Sequence, residues 1–168
     1  MSLNKNQKEQ GDKARTQRQT CTVLAIDHSN MYYRVCAVCE RTISNATGNG
    51  TSFLCNFCHS NNTPKRLFRI LMSIATDTDV FTVICFDRVA RVLFGCSADE
   101  FFDFAKLHPF SGVTVNEILE GEMFTMTLSK PMNGKAENVR VASAVPLSSG
   151  FRPAIEVLRE CYKPQDAS

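Results

Sequence analysis

Two Cys-x-x-Cys pairs, Cys36 with Cys39 and Cys55 with Cys58, bracket the stretch CAVCERTISNATGNGTSFLCNFC. Four thiolates at this spacing can surround one tetrahedral Zn²⁺, each pair forming a tight turn and the Gly, Asn, Ser and Thr between them a hairpin or loop. A disulfide framework and the redox use of a lone pair compete with zinc, but neither accounts for the repeat of the spacing. A zinc ion held by four thiolates is coordinatively closed, so it supports a fold and does not activate water. His59, beside Cys58, is an alternative ligand that a complete set of four cysteines makes unnecessary.

At 168 residues, 43% of them hydrophobic, the chain is long enough to bury a core without disulfides. No stretch approaches the roughly 20 apolar residues of a membrane span, and the start is polar rather than a secretion signal. A soluble, intracellular protein is expected. Free metal-binding thiols favour a reducing compartment, so the Asn-x-Thr triplets at Asn45, Asn49 and Asn61 are read as loop composition. Within 1–19, five cations against Glu9 and Asp12 give +3, which leaves −1 of the total +2 for the rest. This stretch reads as a disordered basic tail. A near-neutral folded part excludes binding of nucleic acid through bulk charge and requires a local patch.

Along the rest of the chain, the β-branched run at 20–28 predicts a first strand, and MYYRV leads into the first cysteine pair. Residues 67–75 and 80–86 predict a hairpin turned by Thr76 to Asp79. DRVARVLF predicts a helix over 87–94, with Asp87 as N-cap and Gly95 as stop. Ser97 and Glu100 form a capping-box pattern for a second helical start, and periodicity fades over 107–116. Strands return at 122–129 and 138–145, a helix follows over 152–162, and 163–168 reads as a frayed tail. Five strands with a helical segment between the third and fourth are the layout of an OB-fold, an all-β five-stranded Greek-key barrel. The four-cysteine zinc ribbon (31–60) then sits between strands 1 and 2, beside the binding face, and a C-terminal helix closes the domain at 162.

The succession MYYRVCAVC, a Gly/Asn/Ser-rich spacer, TSFLCNFC and RLFRILMSIATDTDVFTVICFDRVARVLFGCSADE resembles the C-terminal DNA-binding domain of the large subunit of replication protein A, over residues 20–162. The resemblance implies an OB-fold with an inserted ribbon whose zinc ligands are Cys36, Cys39, Cys55 and Cys58. It implies binding of single-stranded DNA in a nuclear protein of DNA replication, repair or recombination. Phe151 matches a base-stacking aromatic after the fifth strand; a second such aromatic, between strands four and five, has no counterpart in KPMNGKAE. The C-terminal helix matches one that packs against partner subunits.

Single-strand binding needs aromatic platforms beside cations. Tyr32, Tyr33, Phe53 and Phe57 in the ribbon and Phe151 after the last strand are the candidate platforms; packing of the ribbon onto the barrel competes as an equal use for Tyr33, Phe53 and Phe151 and is the favoured one for Phe57, which lies between two ligands. Arg34, Arg41, Lys65, Arg66 and Arg152 lie near them in sequence, with Lys130 and Lys135 in the loop flanking the groove. Arg69 and Arg140, set between apolar neighbours in strands two and five, should point outward. Phe81, Phe86, Phe94, Phe101 and Phe102 read as core, as do the isolated Cys21, Cys85, Cys96 and Cys161. No Ser-His-Asp set, paired carboxylates or phosphate loop is present, so no enzyme is expected. The competing function is a zinc-stabilised module that docks partner subunits through its final helix, with weak or no DNA binding.

Overall fold

The computed structural model describes residues 15–43, 52–130 and 139–163. Its longest alternating run of buried and half-buried side chains is β5 (Lys65–Ala75), where Phe68, Ile70, Met72 and Ile74 point inward and Leu67, Arg69, Leu71 and Ser73 outward. That strand forms an antiparallel hairpin with β6 (Val80–Phe86), running from Ala75↔Val80 to Arg69↔Phe86. The two ends of β5 take different partners on its other edge: Met72 to Ala75 pair with β1 (Arg15–Ile26), and Lys65 to Phe68 with β2 (Tyr32–Val35). β1 also pairs with β7 (Met123–Lys130), β7 with β8 (Val139–Pro146), and β8 runs parallel to β6. The ring β1-β5-β6-β8-β7 therefore closes on itself, which is the five-stranded OB barrel expected from the order of strands.

Two bulges shape the ring. At Leu24 the β1–β5 register shifts, keeping Val23 and Ile26 inside. At Ala142 of β8 the β7–β8 register shifts, and the carbonyl of Ala142 accepts from Arg88 Nη2 at 2.8 Å. β1 begins at Arg15, so residues 15–19, expected in the basic tail, are instead hydrogen-bonded to β7 as far as Lys130. Alternation is weak in that polar stretch, and the pairing partner, not the local sequence, makes it a strand. The remainder of both expected tails lies outside the described residues, apart from Lys163.

Three helices fill the connection from β6 to β7. α1 (Asp87–Phe94) is capped one residue earlier than expected: Phe86 is at the N-cap position, and Asp87 uses its carboxylate to accept from the Phe68 amide at 3.1 Å and to pair with Arg91. α2 (Ala98–Leu107) does begin with the expected capping box, Ser97 Oγ accepting from the Glu100 amide at 3.1 Å. α3 (Ser111–Leu119) lies where the periodicity fades, because SGVTVNEIL is rich in β-branched residues and its N-cap, Phe110, offers no capping side chain. It is held by tertiary contacts instead, with Val115 and Leu119 fully buried and Asn116 Oδ1 accepting from the Ile26 amide at 2.7 Å. Phe68, Phe94 and Phe101 form the centre of the core, with Phe94 4.6 Å from Phe68 and 5.1 Å from Phe101 between ring centroids.

Not every expected core residue is inside. Phe86 and Phe102 are half-buried and Cys161 is exposed, whereas Cys21, Cys85 and Cys96 are buried. Among the described residues no helix is long and apolar enough to cross a membrane.

The last helix, α4 (Ala154–Cys161), lays Ala154, Ile155 and Leu158 into the barrel core. It can approach because α1 ends at Gly95, which takes φ 74° and donates to the Arg91 carbonyl. A Cβ there would lie 2.4 Å from Pro153 Cβ. Gly121 also has positive φ (85°), but nothing lies within 4 Å of the place its Cβ would take. Both Gly→Ala changes incur the left-handed backbone cost of about 1–2 kcal/mol. Gly95→Ala should therefore lose clearly more stability than Gly121→Ala in urea unfolding, and equal losses would contradict the α1–α4 contact.

Candidate metal centre and nucleic-acid face

The two cysteine pairs build the same turn twice. Cys36 O accepts from the Glu40 amide and Cys36 N donates to Arg41 O; Cys55 O accepts from the His59 amide and Cys55 N donates to Ser60 O, all at 2.9 to 3.0 Å. Glu40 and His59 close the turns with positive φ, 60° and 59°. The second knuckle sits on the short hairpin of β3 (Phe53–Leu54) and β4 (Asn61–Asn62), and the first on β2. Each turn aims an amide at its first sulfur, Val38 N to Cys36 Sγ at 3.4 Å and Phe57 N to Cys55 Sγ at 3.5 Å.

The four Sγ atoms lie within 4.8 Å of one another, with Cys36–Cys58 and Cys39–Cys55 separations of 3.6 Å. A tetrahedral ion with bonds of about 2.3 Å to sulfur needs sulfur–sulfur edges of about 3.8 Å, so the cluster fits one such ion. All eight cysteines are free of disulfides. The Cys39 amide, with those of Val38 and Asn62 behind it, pulls the Cys36 thiol down to about 5. Hydrogen bonds from Ser60 hold Cys58 low. At Cys39 the Arg41 amide favours the thiolate, but burial and the neighbouring thiols outweigh it and raise the group to about 11. Crowded sulfurs that cannot all ionise alone are what a cation would relieve.

Asn62 joins the two knuckles. Its Oδ1 accepts from the Ala37 amide at 3.0 Å, and its Nδ2 donates to Cys36 Sγ at 3.2 Å and Ser60 Oγ at 2.7 Å. Nothing in the sequence distinguished it from its loop neighbours.

The ribbon's base opens onto the outer face of the barrel. Tyr33 lies opposite Leu67, and its ring meets Phe86 edge-on at 6.4 Å. Phe86 lies opposite Arg69 and beneath the Arg140 guanidinium, 4.7 Å from its centroid. Among the described residues neither Arg69 nor Arg140 is in an ion pair. Two rings and two guanidinium groups thus share one face, between the ribbon and the start of β8. Phe86 was assigned to the core, and its pairing opposite the outward Arg69 places it, half-buried, on the outer side of β6, where Ile84 is buried.

The other expected site residues are dispersed. Arg66 faces α2, stacking over Phe102 at 3.5 Å and pairing with Asp99 at 3.2 Å, and Arg34 lies opposite it in register. Lys65 pairs with Glu40 of the first knuckle. Arg41 covers Phe57 at 4.1 Å on the ribbon, and Phe57 is 60% exposed rather than packed on the barrel. Phe53 is half-buried in β3. Phe151 packs edge-on against the core ring of Phe124, which pairs with Pro146 at the end of β8 remote from Arg140. Arg152 makes a two-pronged contact with Glu160, 2.7 and 2.9 Å. Lys130 is exposed at the end of β7, and Lys135 lies outside the described residues.

Loss of an outer ligand partner commonly lowers metal affinity about 10–100-fold. Asn62→Ala should show a fall in that range for Zn²⁺ in a chelator competition, with all four cysteines intact. An unchanged affinity would mean that Asn62 does not support the cluster.

Residues 17–145 match the family described as the replication factor-A C terminal domain. A search of curated proteins gives no match. Among solved structures, a replication protein A heterotrimer bound to ssDNA is similar with TM-score 0.69 at 19% identity; the match covers 83% of this chain and 33% of that one, so the chain spans about a third of that relative. Yeast RPA bound to ssDNA is similar with TM-score 0.56 at 19% identity, covering 95% of this chain and 89% of that chain. The barrel, the inserted four-cysteine cluster and the match across most of its length agree: the chain belongs to the replication factor-A C-terminal domain family.

Proposed function

We propose that the chain is a non-catalytic module that binds single-stranded DNA in the manner of replication protein A, with one structural zinc in the ribbon. The observation that carries this reading is the sharing of one barrel face by Tyr33, Phe86, Arg69 and Arg140. Bases stack on the rings, each for about 1–3 kcal/mol, and the guanidinium groups meet the phosphates. Both similar structures are of replication protein A bound to ssDNA, which supports the reading. Zinc is the ion that four thiolates at tetrahedral spacing favour, and its closed shell limits it to holding the ribbon. A nuclear setting in DNA replication, repair or recombination follows from the same reading.

The competing role, docking of partner subunits through the final helix, is less well supported. The apolar side of α4 already packs into its own barrel, and the solvent side carries Glu156, Arg159, Glu160 and Cys161. A partner would have to bind that polar side.

Among the described residues few cations face the groove, so binding should depend only mildly on salt. With two to four phosphates neutralised, log K should fall with log salt at a slope of about −1.4 to −2.8. In anisotropy titrations Phe86→Ala should weaken binding by about 1–3 kcal/mol, or roughly 5- to 150-fold. Arg66→Ala should leave affinity nearly unchanged, because Arg66 is engaged with Asp99 and Phe102. Unchanged affinity in Phe86→Ala, or no binding at low salt, would contradict the proposed face.

A further inference from the structure

The outer face continues past Arg69. Leu71 and Ser73 of β5, Thr82 of β6, and Ala25 and Asp27 at the end of β1 line a pocket of about 310 Å³. This is at the small end for ligand pockets and suits one planar ring. The bulge at Leu24 forms it: beyond the bulge Ala25 sits opposite Ser73, and Ser73 opposite Thr82. Leu71 is apolar, Ser73 and Thr82 bring hydroxyls, and no cation is among the described lining residues. The only charge among them is that of Asp27. Its Oδ1 accepts from the Ser29 amide at 2.9 Å and hydroxyl at 2.5 Å, contacts that hold the carboxyl below its ordinary value.

A pocket with a carboxylate and no cation repels a phosphate but accepts N–H donors from a base edge. It lies on the face that carries Tyr33, Phe86 and the two arginines, two to four residues further along β5, where a strand crossing those rings would next place a base. We propose that this pocket takes one base of a bound single strand, and that Asp27 selects cytosine, whose 4-amino group donates to the carboxylate, over thymine or uracil, whose 4-carbonyl would face it. The proposal rests on the single-strand reading above.

The test is anisotropy of the full chain with oligo-dC and oligo-dU of about 12 nucleotides, within the site size of one OB fold. The two strands have the same charge and ring size, and dU lacks the thymine methyl, so the pyrimidine edge is the variable. Oligo-dC should bind about fivefold tighter, the lower end of discrimination by one base contact. Asp27→Asn keeps an oxygen for Ser29 at an exposed position and should bring the ratio close to one. Equal affinities in the wild type, or a ratio unchanged in Asp27→Asn, would overturn the base pocket and leave single-strand binding standing. Binding of neither strand would overturn both.

Discussion

One continuous strand, β5, carries both halves of the molecule. Lys65 to Phe68 hold the ribbon through β2, and Met72 to Ala75 close the barrel through β1. Because side chains alternate strictly along it, fixing the inward set of Phe68, Ile70, Met72 and Ile74 also fixes the outward set of Leu67, Arg69, Leu71 and Ser73. A slip of one residue would put Arg69 in the core and take Tyr33 away from Phe86. The packing of the aromatic core around Phe68 is therefore also what positions the outer face.

The cysteine cluster is tied to this face through the backbone. Cys36 follows directly on Val35, the last residue of β2, and Tyr33 stands two residues before that. The clustered cysteines and Asn62 bring the knuckles together, and the first knuckle continues the end of β2 that pairs with β5. Lys65 with Glu40 adds a second tie between strand and knuckle. The ribbon thus braces the wall that bears Tyr33, while its exposed ring, Phe57, lies under Arg41.

Much of this was legible in the sequence, and the reasons differ by residue. The cysteines were legible because ligand chemistry imposes spacing, and the hairpin and α2 because alternation and the Ser97 capping box are local signals. Arg69 and Arg140 were placed outward by their apolar neighbours. Phe86 was assigned to the core by residue type, although the same alternation that exposes Arg69 exposes it. Residues 15–19 and α3 take their form from partners distant in sequence, Leu128 to Lys130 and Ile26 among them, so no local pattern announces them. Proximity in sequence to an aromatic did not reveal the ion-pair partners of Arg66 and Arg152: strand pleat turns the first toward Asp99, and two turns of α4 bring Glu160 to the second.

The Tyr33, Phe86, Arg69 and Arg140 face as the path of the nucleic acid is the central claim, and photocrosslinking of a single-stranded oligonucleotide followed by peptide mapping tests it most directly. Adducts should concentrate on Tyr33 and Phe86. Adducts confined to Phe151 or to the exposed ribbon ring of Phe57, with none on β2 or the end of β6, would contradict it.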